Sequence, residues 1–338
     1  MNKLSYLEKL LDGVEVEWKT LEKVLKRTKG TKITAGQMKA LHKDNAPLKI
    51  FAGGKTVAFV DFKDIPEKDI NREPSIIVKS RGIIEFEYYD KPFSHKNEMW
   101  SYHSNNDAIS IKYIYYFLKI NEGYFQKIGG KMQMPQIATP DTDKFEVPIP
   151  CPDNPEKSLA IQSEIVRILD TFTALTAELT AELTAELTMR KKQYNYYRDQ
   201  LLSFKEGEVE WKALEEVSDI YDSLHQTPQY SKNGLSMIRV TDIKNGYIDL
   251  KNTLKVNDGI FSIFTKKYLP QKNDLVMSRV GSYGNVGIIP TDNSACMGQN
   301  TVVIHPHINN RYLFYILTSS IGQDFIEKNV GGGSQKTL

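Results

Sequence analysis

Residues 173–188 read Thr-Ala-Leu-Thr-Ala-Glu-Leu-Thr-Ala-Glu-Leu-Thr-Ala-Glu-Leu-Thr, a four-residue repeat that places leucines at Leu175, Leu179, Leu183 and Leu187. No Gly or Pro interrupts the chain between Glu156 and Glu206. Side chains four apart share one side of an α-helix, so the sequence predicts one long helix from Pro155 to Phe204, roughly 70 Å at ~1.5 Å per residue. Pro150, Pro152 and Pro155 block a helix from the left, and Asn154 or Ser158 can cap its start. Upstream, Ile161, Ile165, Ile168, Phe172, Leu175 and Leu179 follow heptad spacing; Tyr194, Tyr197 and Leu201 resume it downstream. The four-residue steps between them are stutters, which a coiled coil absorbs by local unwinding. A helix this long cannot bury its own seam, so pairing with another helix is expected. The alternative is a single helix packed on its own domain.

The helix separates two segments that resemble each other. Glu15-Val16-Glu17-Trp18-Lys19 with Leu21, Glu22 and Val24 returns as Glu208-Val209-Glu210-Trp211-Lys212 with Leu214, Glu215 and Val217, at a constant offset of 193 residues (208 − 15). Lys112–Leu118 followed by Gly129-Gly130 is echoed by Arg311–Leu317 followed by Gly331-Gly332-Gly333. A repeat near 200 residues implies duplicated domains and not a solenoid. The expected domains are residues 1–150, a helix at 151–206, and 207–338, with the helix acting as a ruler between two recognition units.

A chain of 338 residues has room for two cores. No apolar run approaches the ~18 residues of a membrane span. The N-terminus has Glu8 and Lys9 within its apolar stretch and lacks a secretory apolar region, and two cysteines, Cys151 and Cys296, do not make a disulfide scaffold. A cytoplasmic protein is expected. The net charge of +2 argues for no partner by itself. Locally, Lys19, Lys23, Lys26, Arg27, Lys29 and Lys32 face the single acid Glu22, and Arg190, Lys191, Lys192 and Arg198 are interleaved with tyrosines. Such clusters can neutralise phosphates or can be solvated helix faces.

Both flanking segments mix short apolar runs with turn signals. Ser75–Lys79, Ile83–Phe86, Leu235–Val240 and Asp274–Val280 read as strands, Lys244–Tyr247 as a turn, and 109–118 and 312–319 as helices. Two mixed α/β (α+β) domains are expected. No catalytic constellation stands out. Gly54-Lys55-Thr56 lacks the first glycine of a phosphate loop, because Lys49 stands there. Gly281, Gly284 and Gly287 do not fit a dinucleotide fingerprint, and His305 and His307 have no cysteine or acidic cluster beside them in sequence.

The repeats, the duplicated Glu-Trp-Lys starts, Ile149-Pro150-Cys151-Pro152 and the helix ending Gln193–Asp199 together resemble the specificity subunit of Type I restriction-modification systems, particularly the IC class. The resemblance covers nearly the whole chain. It implies a non-catalytic subunit whose two target-recognition domains each read one half of a bipartite double-stranded DNA site, with the helix setting the unread gap. It also implies two modification subunits, which supply S-adenosylmethionine and adenine methylation, and two restriction subunits, which supply Mg and ATP-driven translocation and cleavage. No cofactor is expected on this chain. In the family a second helix pairs with the central one; here the sequence stops after Gly331-Gly-Gly. The expectation is a chain truncated at its C-terminus whose central helix self-associates with that of a second copy.

Base readout needs long polar side chains on loops that can enter a groove. The candidates are Gln226, Tyr230, Arg279, Tyr283 and Asn285 in the second segment, with Lys232 and Lys336 on phosphates. In the first segment they are Lys55, Lys79, Arg81 and Lys131, with Arg27 and Lys29 on phosphates. Three rivals stand beside this assignment: a coiled-coil tether without DNA contact, a self-sufficient nuclease or methyltransferase, and a truncated regulatory subunit that sequesters modification subunits.

Overall fold

The computed structural model describes residues 11–130, 133–244 and 246–331. The chain divides into two compact units, Met1–Thr180 and Ala181–Leu338, and the division falls inside its long helix. Among the described residues, no helix is long and apolar enough to cross a membrane.

In the first unit β1 (Val16–Thr20) leads into a one-turn helix α1 (Leu21–Val24) and β2 (Lys26–Lys29); α2 (Ala35–Leu41) follows. Then come β3 (Leu48–Phe51), β4 (Val57–Val60), two 3₁₀ turns at Phe62–Asp64 and Glu67–Asp69, β5 (Ser75–Lys79), β6 (Glu85–Tyr89), β7 (Phe93–His95) and β8 (Trp100–His103). The unit closes with α3 (Ile111–Ile120), α4 (Glu122–Gly129), α5 (Thr139–Asp143), β9 (Glu146–Pro150) and the start of α6 (Pro155–Leu201). Strands β2-β8-β5-β6 make one sheet and β4-β3-β7 a second, with β3 antiparallel to β4 and parallel to β7.

Strand β5 explains how these layers stack. Successive side chains of a strand point to opposite faces. Ile76 and Val78 pack with Trp100, Tyr102, Ile114, Leu118 and Phe125 against the helices, while Ile77 packs on Phe51, Phe93 and Met99 of the second sheet. With both faces covered, all five residues of β5 are buried.

The second unit repeats this plan. It has α7 (Leu214–Val217), β10 (Ser218–Asp222), β11 (Leu235–Ile238), a short hairpin of β12 (Ile243–Lys244) and β13 (Gly246–Ile248), and β14 (Leu254–Val256). There follow α8 (Asp258–Thr265), β15 (Leu275–Ser278), β16 (Val286–Ile288), β17 (Ala295–Met297), β18 (Thr301–Pro306), α9 (Asn310–Thr318) and α10 (Ser320–Asn329). The order β10-β18-β15-β16 matches β2-β8-β5-β6, and β14-β11-β17 matches β4-β3-β7, again with one antiparallel and one parallel neighbour. The alternation recurs too: Leu275 and Met277 face Leu313 and Ile326, whereas Val276 faces Ile238 and Met297. Helices α1 and α7 sit at the offset of 193 (214 − 21) read from the sequence.

The pairing of the first strand is not repeated. Strand β1 pairs antiparallel with β9, from Val16↔Pro150 to Thr20↔Glu146. The matching stretch 209–213 forms no strand. Strand β1 is held by a partner that arrives after α5, and among the described residues the second unit has no strand in the place of β9.

The long helix is 47 residues, Pro155–Leu201. Of the two candidate caps Asn154 takes the role, its Oδ1 accepting from Lys157 N at 3.0 Å. Ser158 is buried instead and bonds to Gln162 (3.0 Å). Gln162 is fully buried: its Oε1 accepts from Ser110 N (2.9 Å) and its Nε2 donates to Ala108 O (3.0 Å), docking the first turns of α6 on the loop before α3. Lys112 and Tyr116 of α3 both bond to Asp170. At the other end Asp199 accepts from Ser320 N (3.1 Å) at the start of α10.

Candidate nucleic-acid interface

Arg27 and Lys29 lie exposed on β2, where the chain turns at Gly30 beneath α2. A side chain at position 30 would put its Cβ 2.4 Å from the carbonyl oxygens of both His95 and Lys96, so the close approach of these two loops requires glycine. Here opens a cleft of about 830 Å³, lined by Arg27, Lys29, Lys32, Gln37, Lys68 and Asn97 together with Asp64 and Asp69. Arg27 is steered from behind: its Nε lies 3.3 Å from Asp143, which also accepts from the buried Tyr102 hydroxyl at 2.5 Å. Burial and the hydrogen bond to Asp143 raise the Tyr102 hydroxyl far above the ordinary tyrosine value, so it serves as a donor. The Asn97 amide, oriented so that its nitrogen donates to Gly30 O (2.7 Å) and Thr31 O (3.3 Å), ties its own loop to the turn at Gly30.

Next to this turn His95 is fully buried, with Nδ1 3.2 Å from Lys96 O and Nε2 3.2 Å from Ser101 Oγ. Burial lowers its pKa to about 4, so the ring is neutral at neutral pH.

The other expected contacts are scattered. Lys55 is exposed in the turn between β3 and β4, outside the cleft, and Arg81 is exposed just after β5, its Nε 3.2 Å from Met134 Sδ. Lys79 is corrected. It is the last residue of a doubly covered strand and is buried, its Nζ 2.6 Å from Glu85 and 2.8 Å from Glu87 on β6. Burial works against its charge, but the two carboxylates outweigh it and raise its pKa above the ordinary lysine value. This side chain is a structural ion pair and cannot reach a groove. Lys131 and Lys336 lie outside the described residues.

In the second unit Gln226, Tyr230 and Lys232 are exposed on the loop between β10 and β11. Arg279 is drawn back to Asp222 at 2.7 Å, and the Tyr283 hydroxyl bonds to Glu327 of α10. Asn285 is exposed but lines a different cleft of about 500 Å³ facing Lys191, Tyr194, Asn195 and Arg198 of α6. Among the expected residues that are described, Arg27 and Lys29 are thus the two gathered with other polar groups into the 830 Å³ cleft. Gln37, Lys68 and Asn97 were not anticipated. The Thr34-x-x-Gln37 pattern, a capping box, could have announced α2 from sequence; Lys68 and Asn97 come from distant segments and carry no local signal.

The helix seam also divides. Ile161 is buried against the first unit and is not available for pairing, a correction to the expected seam; Ile165 and Ile168 are half-buried. Phe172, Leu175, Leu179, Leu183, Leu187, Tyr194, Tyr197 and Leu201 are between 49% and 76% exposed, an apolar face open to solvent along the repeat, with Tyr315 beside Tyr194, Tyr197 and Leu201 at its end.

The sequence matches the family described as Type I restriction modification DNA specificity domain over residues 14–189 and 206–338, one stretch for each repeat. It is 36% identical over 346 residues to the Type I restriction enzyme EcoR124I/EcoR124II specificity subunit of Escherichia coli, covering 98% of this chain and 82% of the relative. To the Type I restriction enzyme EcoprrI specificity subunit, also of Escherichia coli, it is 45% identical over 232 residues, covering 63% of this chain and 56% of the relative. Among solved structures it is similar to a Type-I restriction-modification system S subunit from M. genitalium, with 14% identity and a TM-score of 0.46 over 94% of this chain and 80% of that one. The duplicated topology and the two matched stretches agree, and the chain belongs to the Type I restriction modification DNA specificity family.

Proposed function

We propose that the chain recognises a bipartite duplex DNA site, one half through each unit, and brings modification and restriction subunits to it. Membership of the family makes it the recognition component of the enzyme and not a catalytic one. The observation that carries the bipartite reading is the repeated strand order of the two units, joined by one 47-residue helix. A duplicated scaffold on a helical spacer suits a target of two short blocks with an unread gap. Two methyltransferase subunits would bring S-adenosylmethionine and adenine methylation, and two motor subunits would bring ATP and Mg, leaving no cofactor on this chain. The exposed leucine face of α6 takes a partner helix, and a second copy of α6 is a candidate for it. The assembly works in the cytoplasm, where duplex DNA is accessible.

The test is methylation of a randomised duplex library by this chain co-expressed with its cognate modification subunits. The expected product is adenine methylation within a two-block motif of fixed gap, and deletion of one Thr-Ala-Glu-Leu copy should shorten that gap. A contiguous motif, or a gap indifferent to repeat number, would contradict the ruler. Stable assembly without any sequence preference would point to a tether.

A further inference from the structure

We propose that the first unit reads its half-site through the cleft beneath α2, and that Gln37 reads a guanine there as a hydrogen-bond donor only. The inference rests on the DNA-recognition reading above and adds the residue and the base.

Two copies of one scaffold that read different half-sites must differ where they read. The strands repeat between the units, but the connecting segments do not. Between β2 and β3 the first unit inserts α2, while the second has the open loop 223–234. Between β4 and β5 it has the two 3₁₀ turns, where the second has α8. These unrepeated segments, α2 and the turns carrying Asp64, Lys68 and Asp69, form walls of the 830 Å³ cleft. Lys29, Lys32 and Lys68 are exposed and make no ion pair among the described residues. Three ammonium groups outweigh Asp64 and Asp69, with Arg27 balanced by Asp143, so the mouth of the cleft favours a polyanion.

Gln37 gives the cleft its chemistry. Its Oε1 accepts from Thr34 N at 2.9 Å and from Thr34 Oγ1 at 3.0 Å, which occupies the carbonyl. Its Nε2 has no partner among the described residues, and the side chain is exposed on the cleft wall. A free glutamine reads adenine with a donor and an acceptor together. With the acceptor committed to the helix cap, Gln37 can only donate, and the major-groove edge with two adjacent acceptors is that of guanine, N7 and O6. The cap therefore both starts α2 and sets the polarity of the amide.

The substitution that separates these roles is Gln37→Glu. A carboxylate accepts the same two bonds from Thr34, so the capping box and α2 are retained, but the donor is gone. The full chain with its modification subunits is given the randomised duplex library, and methylated products are sequenced. One position of one block should lose its guanine preference by roughly 5- to 150-fold, the equivalent of ~1–3 kcal/mol per base contact, while the other block and the gap stay unchanged. Lys68→Gln should leave the motif intact and make the salt dependence of binding shallower by about one unit of log–log slope. An unaltered motif with Gln37→Glu overturns the donor assignment, and an unaltered salt slope with Lys68→Gln overturns the cleft. If Gln37→Glu fails to fold, Gln37→Ala takes its place in the same library, where an unaltered motif likewise overturns the donor assignment, and the salt slope of Lys68→Gln still decides the cleft. Failure of the unsubstituted chain to select any motif would instead bring down the DNA reading on which the inference stands.

Discussion

The two units share a strand order, yet their interiors are made differently at one matched pair of positions. On β7 His95 stands in register with Phe51, and on β17 Met297 stands in register with Ile238. Ser101 faces Ile77 across β8 and β5, as Val303 faces Val276 across β18 and β15. The first unit thus buries a hydrogen-bonded histidine and serine where the second buries a methionine and a valine. The scaffold depends on which face a residue points to and tolerates either chemistry, provided that the polar pair is satisfied. What the choice changes is how each unit responds to its surroundings.

The largest expected difference is in acid. His95 titrates at about 4 in the fold, below the ordinary 6.5. A histidine with a lowered folded pKa contributes its full share of stability above pH 6.5 and loses it as pH falls towards about 4, because the unfolded chain takes up the proton first. The first unit should lose about 3 kcal/mol across that window, a loss the second does not share at Met297. Hydrogen exchange of the full chain, comparing peptides from 75–103 with those from 275–306, reads the two separately. His95→Met with Ser101→Val, the residues of the other unit, should remove the difference; equal acid sensitivity before substitution would contradict the comparison.

A smaller effect is expected where β5 and β15 end. Lys79 and Ser278 hold matching places, but Lys79 neutralises Glu85 and Glu87 whereas Ser278 bonds to the Ser282 carbonyl of its own loop. Exchanging Lys79→Ser should cost the first unit about 2 kcal/mol in denaturant unfolding, less than a fully buried pair because both glutamates are partly hydrated. It should leave DNA selection untouched, and a changed motif would return Lys79 to the interface.

The smallest contrast lies in the repeated tryptophans. Trp18, on the paired strand β1, packs edge-on against Phe117 at 5.8 Å, while Trp211 is 64% exposed on a stretch with no strand. Trp18→Ala should destabilise by about 1 kcal/mol and Trp211→Ala by next to nothing in the isolated chain. A comparable loss at both would show that 208–212 is held as β1 is.

These contrasts also mark what could be read from sequence. The offset of 193 was legible because near-identical residues recur, the long helix because its leucines repeat every four residues, and the runs 75–79, 235–240 and 274–280 because each is a short apolar stretch bounded by turn residues. Lys79 was misread because its fate depends on Glu85 and Glu87 on the next strand and on both faces of β5 being covered. Glu15–Lys19 and Glu208–Lys212 carry the same residues and differ in structure, since pairing with β9 is decided more than a hundred positions away. The cleft escaped for the same reason: Lys32, Lys68 and Asn97 meet only after the sheets are stacked. At Ile161 the heptad spacing was read correctly and its partner was not, because the first unit itself covers that turn.

In the repeat, Thr176 donates to Phe172 O, Thr180 to Thr176 O and Thr188 to Thr184 O, each at 2.7–2.8 Å. Each of these hydroxyls is thus answered by the residue four places before it, within the helix's own backbone. A tract built this way is modular at the level of the gene: replication slippage that adds or removes twelve nucleotides leaves no orphaned polar group and asks for no second mutation. Length can drift by whole units while the fold at either end is left as it was, so a lineage can sample new spacings without first passing through an unstable protein.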